Sequence, residues 1–399
     1  MPAKSINYNF DIFLVRLRFL IFKHLGFLMP NKPKLNFYHK TDIEKSSERS
    51  NEQTKGNNTF DMLGSKVEGK YFWKQIPKEF EYCRTSEELG AKTIPLVEIF
   101  TKDNFKFVEL CMPEGYGVVY MRLLQPLSFM NSYYNVDYDD EALNLSATPQ
   151  SLITARSVNK VEAYCRPFLR KKSRVLDIGC GFGDQLTHFR DQGHITKGIE
   201  PGKKRALFGI NNYGLDILNE QLESIEINNI DLGEKYDLIY LNQVFEHLYN
   251  PVSLLRYLLS HLKDDGRVFI AIPNFNFEGI LVKMLTPIHT HSFTSTGLVS
   301  IASSLGLRLE KNYSDELYNI MIFKRGDILV NPTGGSEITR QLIKTFGLNS
   351  DLQLGDQVLV SSNTLGLWNA NFRSTSPSNS QNLHVKIRTY HEEPQLLFK

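Results

Sequence analysis

The chain has 399 residues, of which 41% are hydrophobic, so it can bury a large core and is long enough for more than one domain. Its formal net charge of +2 at pH 7 argues against nucleic-acid binding through a basic surface. The four cysteines show no paired spacing, so we expect a reducing, cytoplasmic location and no zinc site.

Residues 10–29 form an apolar, aromatic-rich stretch that Arg16, Arg18 and Lys23 interrupt. A membrane-spanning helix needs about 20 nearly uncharged residues, and a signal peptide carries its positive charges before the apolar run. Neither pattern fits, and we predict an amphipathic helix over residues 1–30. It either lies on a membrane surface or packs against another domain or subunit. Residues 31–60 are predicted to be a polar linker.

Residues 61–150 are predicted to form a β-rich accessory domain. Segments 92–100, 105–111 and 117–124 alternate or run apolar between Gly and Pro breaks. Near the end of this region, residues 131–140 bring together Tyr133, Tyr134 and Tyr138.

The most informative segment is 175–183, which reads Val-Leu-Asp-Ile-Gly-Cys-Gly-Phe-Gly. An apolar strand leads through Asp177 into glycines at alternate positions, and a helix is predicted from Asp184 to about Arg190. A loop without side chains lets a ligand approach the backbone, and the amides at the helix start face that ligand. The segment therefore predicts a cofactor site.

Two classes of cofactor use such a loop. A dinucleotide fingerprint, Gly-x-Gly-x-x-Gly, needs its third glycine one position later than Gly183, and Asp184 would repel a pyrophosphate. Acids at this place suit S-adenosylmethionine, which carries a sulfonium and an amino group. The segment resembles the Asp-x-Gly-x-Gly-x-Gly loop of class I S-adenosylmethionine-dependent methyltransferases.

The following segments keep the order of that family. Strands are predicted at 195–199, 214–218, 236–241 and 268–274, and residues 242–248 resemble the family's post-strand segment with its Glu-His-Leu ending. Helices are predicted at 153–169, 251–262 and 296–305, before paired strands at 307–310 and 319–324. The pattern predicts an α/β fold in which residues 151–326 form a doubly wound, seven-stranded Rossmann-like methyltransferase sheet with β-rich accessory regions at both ends.

Residues 327–399 no longer match the family pattern. They are predicted to be a C-terminal β-rich extension, with strands at 356–360, 366–372 and 384–390. We expect these strands to join the N-terminal ones in one β structure.

The resemblance implies S-adenosyl-L-methionine as the cofactor. Glu200 ends the second strand, where a carboxylate accepts both hydroxyls of a ribose, and Gln221 stands where the family usually has an acid. The predicted cofactor-binding residues are Asp177, Gly179, Cys180, Gly181, Gly183, Glu200, Pro201, Gln221, Leu222, Asn242, Gln243, Val244 and His247.

His289 and His291 are the predicted catalytic residues, since the family carries a His-containing segment beside the acceptor pocket. A histidine there suits a general base for a hydroxyl or ammonium acceptor. Solvated loop histidines are the alternative, and a metal pair lacks a third ligand at a convincing spacing, so no metal is expected. Tyr133, Tyr134 or Tyr138 either closes over the active site, as in related methyltransferases, or belongs to a packed linker.

The predicted function is transfer of a methyl group from S-adenosylmethionine to a small molecule. We expect the acceptor to be a sugar or glycan of a surface-polysaccharide or natural-product pathway, by analogy with the nearest methyltransferase group. A quinone or lipid acceptor is the second interpretation. A binding or scaffolding protein with a degenerate core is the third, which the intact Asp177, glycines and Glu200 disfavour. We expect a cytoplasmic protein, to which residues 10–29 would give peripheral membrane contact if they lie on a membrane surface.

Overall fold

The computed structural model describes residues 80–100, 106–137, 161–275 and 289–326, together with 334–335, 337–338, 357–361 and 384–388. The predicted N-terminal helix, the linker and Tyr138 lie outside the described residues. Among the helices that the structure describes, none is both long enough and apolar enough to cross a bilayer.

A seven-stranded sheet forms the centre of the region that resembles the methyltransferases. Its strands are β6 (Arg174–Ile178), β7 (Ile195–Ile199), β8 (Ile217–Leu218), β9 (Tyr236–Asn242), β10 (Leu262–Pro273), β12 (Leu307–Asn312) and β13 (Tyr318–Arg325). They lie in the order β12-β13-β10-β9-β6-β7-β8. Strands β10, β9, β6, β7 and β8 run parallel, and β13 is antiparallel to both of its neighbours. The predicted doubly wound fold is confirmed.

Helices connect the parallel strands. They are α3 (Asp184–Asp191), α4 (Lys203–Tyr213), α5 (Leu222–Ile227), α6 (Pro251–Ser260) and α7 (Ser295–Ser304). The side chain of Thr294 caps α7 by accepting a hydrogen bond from the amide of Gly297 at 2.9 Å. Pro251 begins α6, a position at which the missing amide hydrogen costs nothing.

The central strand β9 is buried on both faces, which explains its continuous apolar sequence. Ile239 and Leu241 pack into the larger core cluster on one face. Leu238 and Tyr240 pack on the other, where the Tyr240 ring stacks on Phe269 with 4.6 Å between centroids. Because the strands on either side are parallel, the loops that follow β6, β7 and β9 meet at one edge of the sheet.

Three local predictions were wrong in detail. The predicted third strand is only two residues long, at Ile217–Leu218. The strand predicted to begin at residue 268 begins at Leu262 instead, and a register shift between Leu262 and Arg267 absorbs the extra residues. The described part of the predicted helix 153–169 consists of two 3-10 turns, and Pro167 cannot donate the hydrogen bond that an α-helix would need.

A second sheet of six strands contains segments from both ends of the chain. Its strands are β2 (Thr93–Phe100), β3 (Lys106–Pro113), β4 (Val118–Met121), β11 (His291–Phe293), β14 (Gln357–Ser361) and β15 (His384–Arg388), in the order β11-β4-β3-β2-β15-β14. The described C-terminal strands therefore join the N-terminal ones, as predicted. We call this the accessory sheet. Two-residue strands β1 (Glu81–Tyr82) and β5 (Leu123–Leu124) pair beside it, and short helices α1 (Thr85–Glu88) and α2 (Leu127–Ser132) complete the described elements.

Strand β11 links the two sheets. It comes from the chain between β10 and α7 but pairs antiparallel with β4 of the accessory sheet. Directly after it, the amide and the hydroxyl of Thr294 both donate to the carbonyl of Gly117 at 2.9 Å. The start of α7 thus lies against the backbone that leads into β4, and the family pattern gave no sign of this pairing.

The contact between Gly297 and Gly117 leaves no room for a side chain. A Cβ on Gly297 would overlap the Gly117 carbonyl, which belongs to the backbone and cannot move aside. We expect Gly297→Ala to lower the free energy of unfolding by about 1–3 kcal/mol, the usual cost of overpacking, despite the better helix propensity of alanine. Urea denaturation measures the change.

Gly193→Ala is the matched control, because Gly193 has a φ of +87° but nothing within 4 Å of its would-be Cβ. Its cost should be limited to the backbone term of about 1–2 kcal/mol. Unchanged or increased stability of Gly297→Ala would show that the two sheets are not in contact there.

Candidate functional site

The glycine loop after β6 adopts backbone conformations that only glycine takes without strain. Gly179, Gly181 and Gly183 have φ values of +65°, +58° and +83°. A Cβ on Gly179 would lie 2.5 Å from Cγ2 of Val244, whereas a Cβ on Gly181 would enter open space. The loop therefore packs against the end of β9 at Gly179 and leaves its backbone accessible at Gly181.

Glu200 ties this loop to the next one along the sheet. Its Oε2 accepts a hydrogen bond from the amide of Gly181 at 2.7 Å, and its Oε1 accepts one from the amide of Gly202 at 2.9 Å. The Asn219 side chain donates to the carbonyls of Glu200 and Pro201 at 2.8 and 3.1 Å. The carboxylate is thus fixed at the carboxyl ends of two neighbouring strands.

Three acidic side chains converge at this edge. Asp177 is buried at 2% exposure, and its pKa is raised well above the ordinary value, first by burial and then by the charges of Asp184 and Glu200. Like charges at short range disfavour one another's ionised form. The cluster is therefore an electrostatically costly arrangement unless a cation lies within it.

An open cavity lies between the glycine loop and the ends of β6 and β9. Asp177, Asp184, Tyr240 and Asn242 line it, together with the loop backbone. Gln185 and Arg205 also reach it, and the Arg205 guanidinium lies over the Phe182 ring at 4.9 Å. Sequence reasoning missed Tyr240, Gln185 and Arg205. Gln185 follows Asp184 in the first turn of α3, and Arg205 lies in the first turn of α4. Their positions at the starts of these two helices are the only sequence signal that could have suggested them.

Cys180 also lines this cavity, and other predicted cofactor residues lie in different surroundings. Leu222 and Val244 are buried in the main core cluster, so Leu222 contributes packing in α5. Gln221 precedes α5 in an extended conformation. The Cys180 side chain packs where a Cβ of Gly198 would lie 2.6 Å from its sulfur, and burial raises the pKa of its thiol.

The end of β9 leads from the cavity toward a second group of polar side chains. Gln243 has a φ of +58°, in the left-handed region that glutamine rarely adopts, and its amide donates to the Ala271 carbonyl at 2.8 Å. Glu246 and His247 follow, with 3.9 Å between Glu246 Oε1 and His247 Nε2. Burial raises the pKa of Glu246 to about 8.

The structure places the two predicted catalytic histidines differently. His289 contacts His247 edge to face, with 4.5 Å between ring centroids, so it lies beside the end of β9. His291 is 1% exposed, and burial lowers its pKa to about 3. Its ring nitrogens lie 2.8 Å from the Thr85 hydroxyl and 2.9 Å from the Thr290 hydroxyl. His289 therefore contacts the His247 ring, whereas His291 is enclosed in a buried hydrogen-bond network that reaches the Leu248 backbone.

The described part of the tyrosine segment lies beside the cofactor loops. Tyr133 is buried, and Tyr134 contacts it edge to face at 5.2 Å. The Asn135 side chain accepts a hydrogen bond of 3.4 Å from the amide of Lys203, the first residue of α4. Whether this segment closes over the active site stays a prediction.

Comparison with known proteins identifies the family to which this site belongs. A family model described as a methyltransferase domain matches residues 151–312. The chain is 30% identical over 166 residues to the ubiquinone biosynthesis O-methyltransferase of Haemophilus ducreyi, covering 38% of this chain and 69% of that protein. This chain belongs to the S-adenosylmethionine-dependent methyltransferases.

Other relatives of the methyltransferase are matched over shorter stretches. The ubiquinone biosynthesis O-methyltransferase of Aeromonas salmonicida is 29% identical over 115 residues, which are 28% of this chain and 48% of that protein. The chain thus spans about half the length of that relative. Among solved structures, the magnesium protoporphyrin IX methyltransferase of Synechocystis PCC 6803 with bound SAH has a TM-score of 0.41 and 14% identity, covering 50% of this chain and 100% of that one.

The cofactor of the methyltransferase is S-adenosylmethionine, and the residues present fit it. The accessible backbone at Gly181 allows close approach, and Glu200 has acceptor capacity for ribose hydroxyls. The acids Asp177 and Asp184 line the same cavity and complement a sulfonium and an ammonium group. The hypothesis of a degenerate, non-catalytic core has no support in these features.

We predict that Asp177→Asn stabilises the ligand-free methyltransferase while weakening its cofactor binding. A carboxyl group whose folded pKa lies above its ordinary value of about 3.9 costs increasing stability as the pH rises past that value. The gain in Tm of the variant should therefore be larger at pH 7 than at pH 4.5. Loss of the charge should weaken S-adenosylmethionine binding by roughly tenfold or more, about 1.4 kcal/mol.

Thermal unfolding and calorimetric titration measure the two effects. Asp191→Asn is the control, because Asp191 ends α3, the helix that follows the glycine loop, but is exposed and paired with Arg190. Unchanged cofactor affinity in Asp177→Asn would contradict a role for this carboxyl group in holding the cofactor.

Proposed function

We propose that this methyltransferase transfers a methyl group to a hydroxyl of a quinone-type aromatic ring. The observation that carries the proposal is the His247–His289 pair in the segment that follows β9, the strand whose residues Tyr240 and Asn242 line the cavity. The names of the matched relatives support the acceptor class, since they are ubiquinone biosynthesis O-methyltransferases. The sugar or glycan acceptor expected from the sequence has no support in the comparisons.

Matching of acidity favours a phenolic acceptor over a sugar. A phenol has a pKa of about 10, as in tyrosine, and an unperturbed histidine one of about 6.5. An aliphatic hydroxyl lies closer to water, at about 15.7, which leaves a much larger gap for the same base. General-base catalysis works best when the acidities of base and acceptor are close. A histidine pair is therefore better suited to removing the proton of a phenol.

The chain's own residues divide the work of the reaction. When bound, S-adenosylmethionine supplies an activated methyl group on its sulfonium. Asp177, Asp184 and Glu200 hold the cofactor's charged and hydroxyl groups, and His289, in contact with His247, takes the proton of the acceptor hydroxyl. Alignment and exclusion of water supply much of the remaining rate, about 7–11 kcal/mol in well-oriented systems.

The position of Glu246 supports His247 in this scheme. Glu246 is buried, and its raised pKa of about 8 leaves it largely protonated near neutrality. A neutral carboxyl group beside His247 does not hold a proton on that ring as a carboxylate would. A protonated Glu246 thus places no negative charge beside the imidazole pair.

The proposed function is tested by formation of S-adenosylhomocysteine with a panel of acceptors. We expect turnover with a hydroxylated benzoquinol or a polyprenylated catechol and none above background with nucleotide sugars. Methylation at oxygen is identified by mass spectrometry and by NMR of the methoxy group. Turnover of a sugar in preference to every phenol would contradict the proposal.

His289→Gln separates catalysis from cofactor binding. Loss of a general base typically costs 10²- to 10⁴-fold in rate, so we expect kcat to fall by roughly that factor. The affinity for S-adenosylmethionine should stay within about twofold, because the acids that hold the cofactor lie on other strands. Initial-rate assays measure kcat, and calorimetric titration measures the affinity for S-adenosylmethionine.

His261→Gln is the matched control. His261 caps the end of α6 and directly precedes β10, at the opposite edge of the sheet from the cavity. Its replacement should leave kcat unchanged. A His289→Gln variant with wild-type kcat would show that His289 is not the base.

The predicted N-terminal amphipathic helix would suit a membrane-borne quinone precursor. It lies outside the described residues, and its membrane contact stays a prediction.

A further inference from the structure

The buried His291 lies at the seam between the accessory sheet and the methyltransferase core. Its ring stacks between Tyr120 of β4 and Phe293, at centroid distances of 5.9 and 5.8 Å. The sulfur of Cys83 lies 3.5 Å from Nε2 and donates to the Tyr249 carbonyl at 3.4 Å. Aromatic and backbone groups thus hold the ring in one orientation.

The hydrogen bonds of this ring form a consistent directed chain. Thr290 donates from its hydroxyl to the carbonyl of Leu248 at 2.7 Å, so the same oxygen is left to accept from Nδ1 of His291. With Nδ1 protonated, Nε2 is an acceptor and takes the hydrogen of the Thr85 hydroxyl at 2.8 Å. A neutral imidazole in this tautomer satisfies every partner, and burial of the ring disfavours its charged form.

This series of hydrogen bonds ends at the segment that carries the His247–His289 pair. Besides Leu248, the Thr290 hydroxyl also contacts the carbonyl of Glu246 at 3.2 Å, so it bridges the residues on either side of His247. His289 is the residue directly before Thr290. One hydroxyl therefore fixes the backbone on both sides of the His247–His289 contact.

We propose that Thr85, His291 and Thr290 form a positioning relay through which the accessory region sets the geometry of the His247–His289 pair. The inference rests on the proposed role of that pair. His291 is a positioning residue rather than a base, because both of its nitrogens are engaged and its ring is closed off from the cavity. The accessory region then helps to build the part of the active site that acts on the methyl acceptor.

The relay starts in a part of the chain that lies far from the cofactor loops in sequence. Thr85 opens α1, and Met121 of β4 donates from its amide to the Thr290 carbonyl at 2.8 Å. Strand β11 pairs with β4 at three positions, beginning with His291 opposite Tyr120. The backbone of the 290–293 segment is thus held from the accessory side, while Glu200 and the glycine loop are held within the core sheet.

Thr85→Val tests the relay, because valine keeps the shape of threonine and removes only its hydroxyl. We expect kcat with the phenolic acceptor to fall about tenfold, the acidic limb of the pH–rate profile to shift, and the affinity for S-adenosylmethionine to stay within about twofold. Thr85→Ser keeps the hydroxyl and should restore kcat and the pH profile.

Ser86→Ala is the matched control. Ser86 is the next residue of α1, is equally buried, and bonds to the Tyr120 hydroxyl at 2.7 Å instead of to His291. Its loss should lower Tm by a similar amount with no change in the pH profile. Equal changes in kcat and pH profile for Thr85→Val and Ser86→Ala, or no change for Thr85→Val, would overturn the relay.

Imidazole ¹⁵N NMR provides a readout that needs no acceptor. We expect His291 to show a neutral Nδ1–H tautomer down to pH 5, and Thr85→Val to shift the signals of His247 and His289, which Ser86→Ala should leave in place. A protonated His291 at pH 6, or unshifted pair signals in Thr85→Val, would refute the relay. If wild-type protein methylates no phenol while these signals behave as expected, the proposed function fails and the relay stands.

Discussion

The cost of burying carboxyl groups together governs the cofactor half of this protein. Asp177, Asp184 and Glu200 converge where the loops after β6 and β7 meet, and burial and mutual repulsion raise the pKa of Asp177. Such a cluster persists because the surrounding sheet is buried on both faces and fixes the strand ends. The same cluster favours a ligand with positive groups over one with a pyrophosphate, so the electrostatics that oppose folding select the cofactor.

The accessory sheet changes how the acceptor half is built. After β10 the chain pairs as β11 with β4 of the accessory sheet before it returns to the core as α7. Gly117 and Gly297 bring the backbones of the two regions so close that no side chain fits between them. The accessory region is therefore packed into the core at the point where His289 and Thr290 begin the strand.

Sequence reasoning predicted the core sheet well because its signals are local. The glycine loop, the acid at the end of β7 and the apolar β9 each carry their meaning within a few residues. The pairing of β11 with β4 joins residues about 170 positions apart, and no local pattern encodes it. His289 and His291 are two residues apart, so in a continuous strand their side chains would point to the same face. The strand begins only at His291, however, so the His289 ring lies beside His247 and the His291 ring lies in the seam between the two regions. The alternation of side chains along a strand could therefore not distinguish the two histidines.

The cofactor site and the proposed histidine base need protonation states that can exist at the same pH. The cofactor half attracts cations most strongly when its carboxyl groups are ionised, and the proposed base works only when its imidazole is neutral. Both conditions are met toward higher pH. Burial raises the pKa of Glu246 to about 8 and so disfavours a negative charge beside His247 near neutrality. One half of the site therefore concentrates negative charge, and burial keeps negative charge away from the histidine pair in the other half.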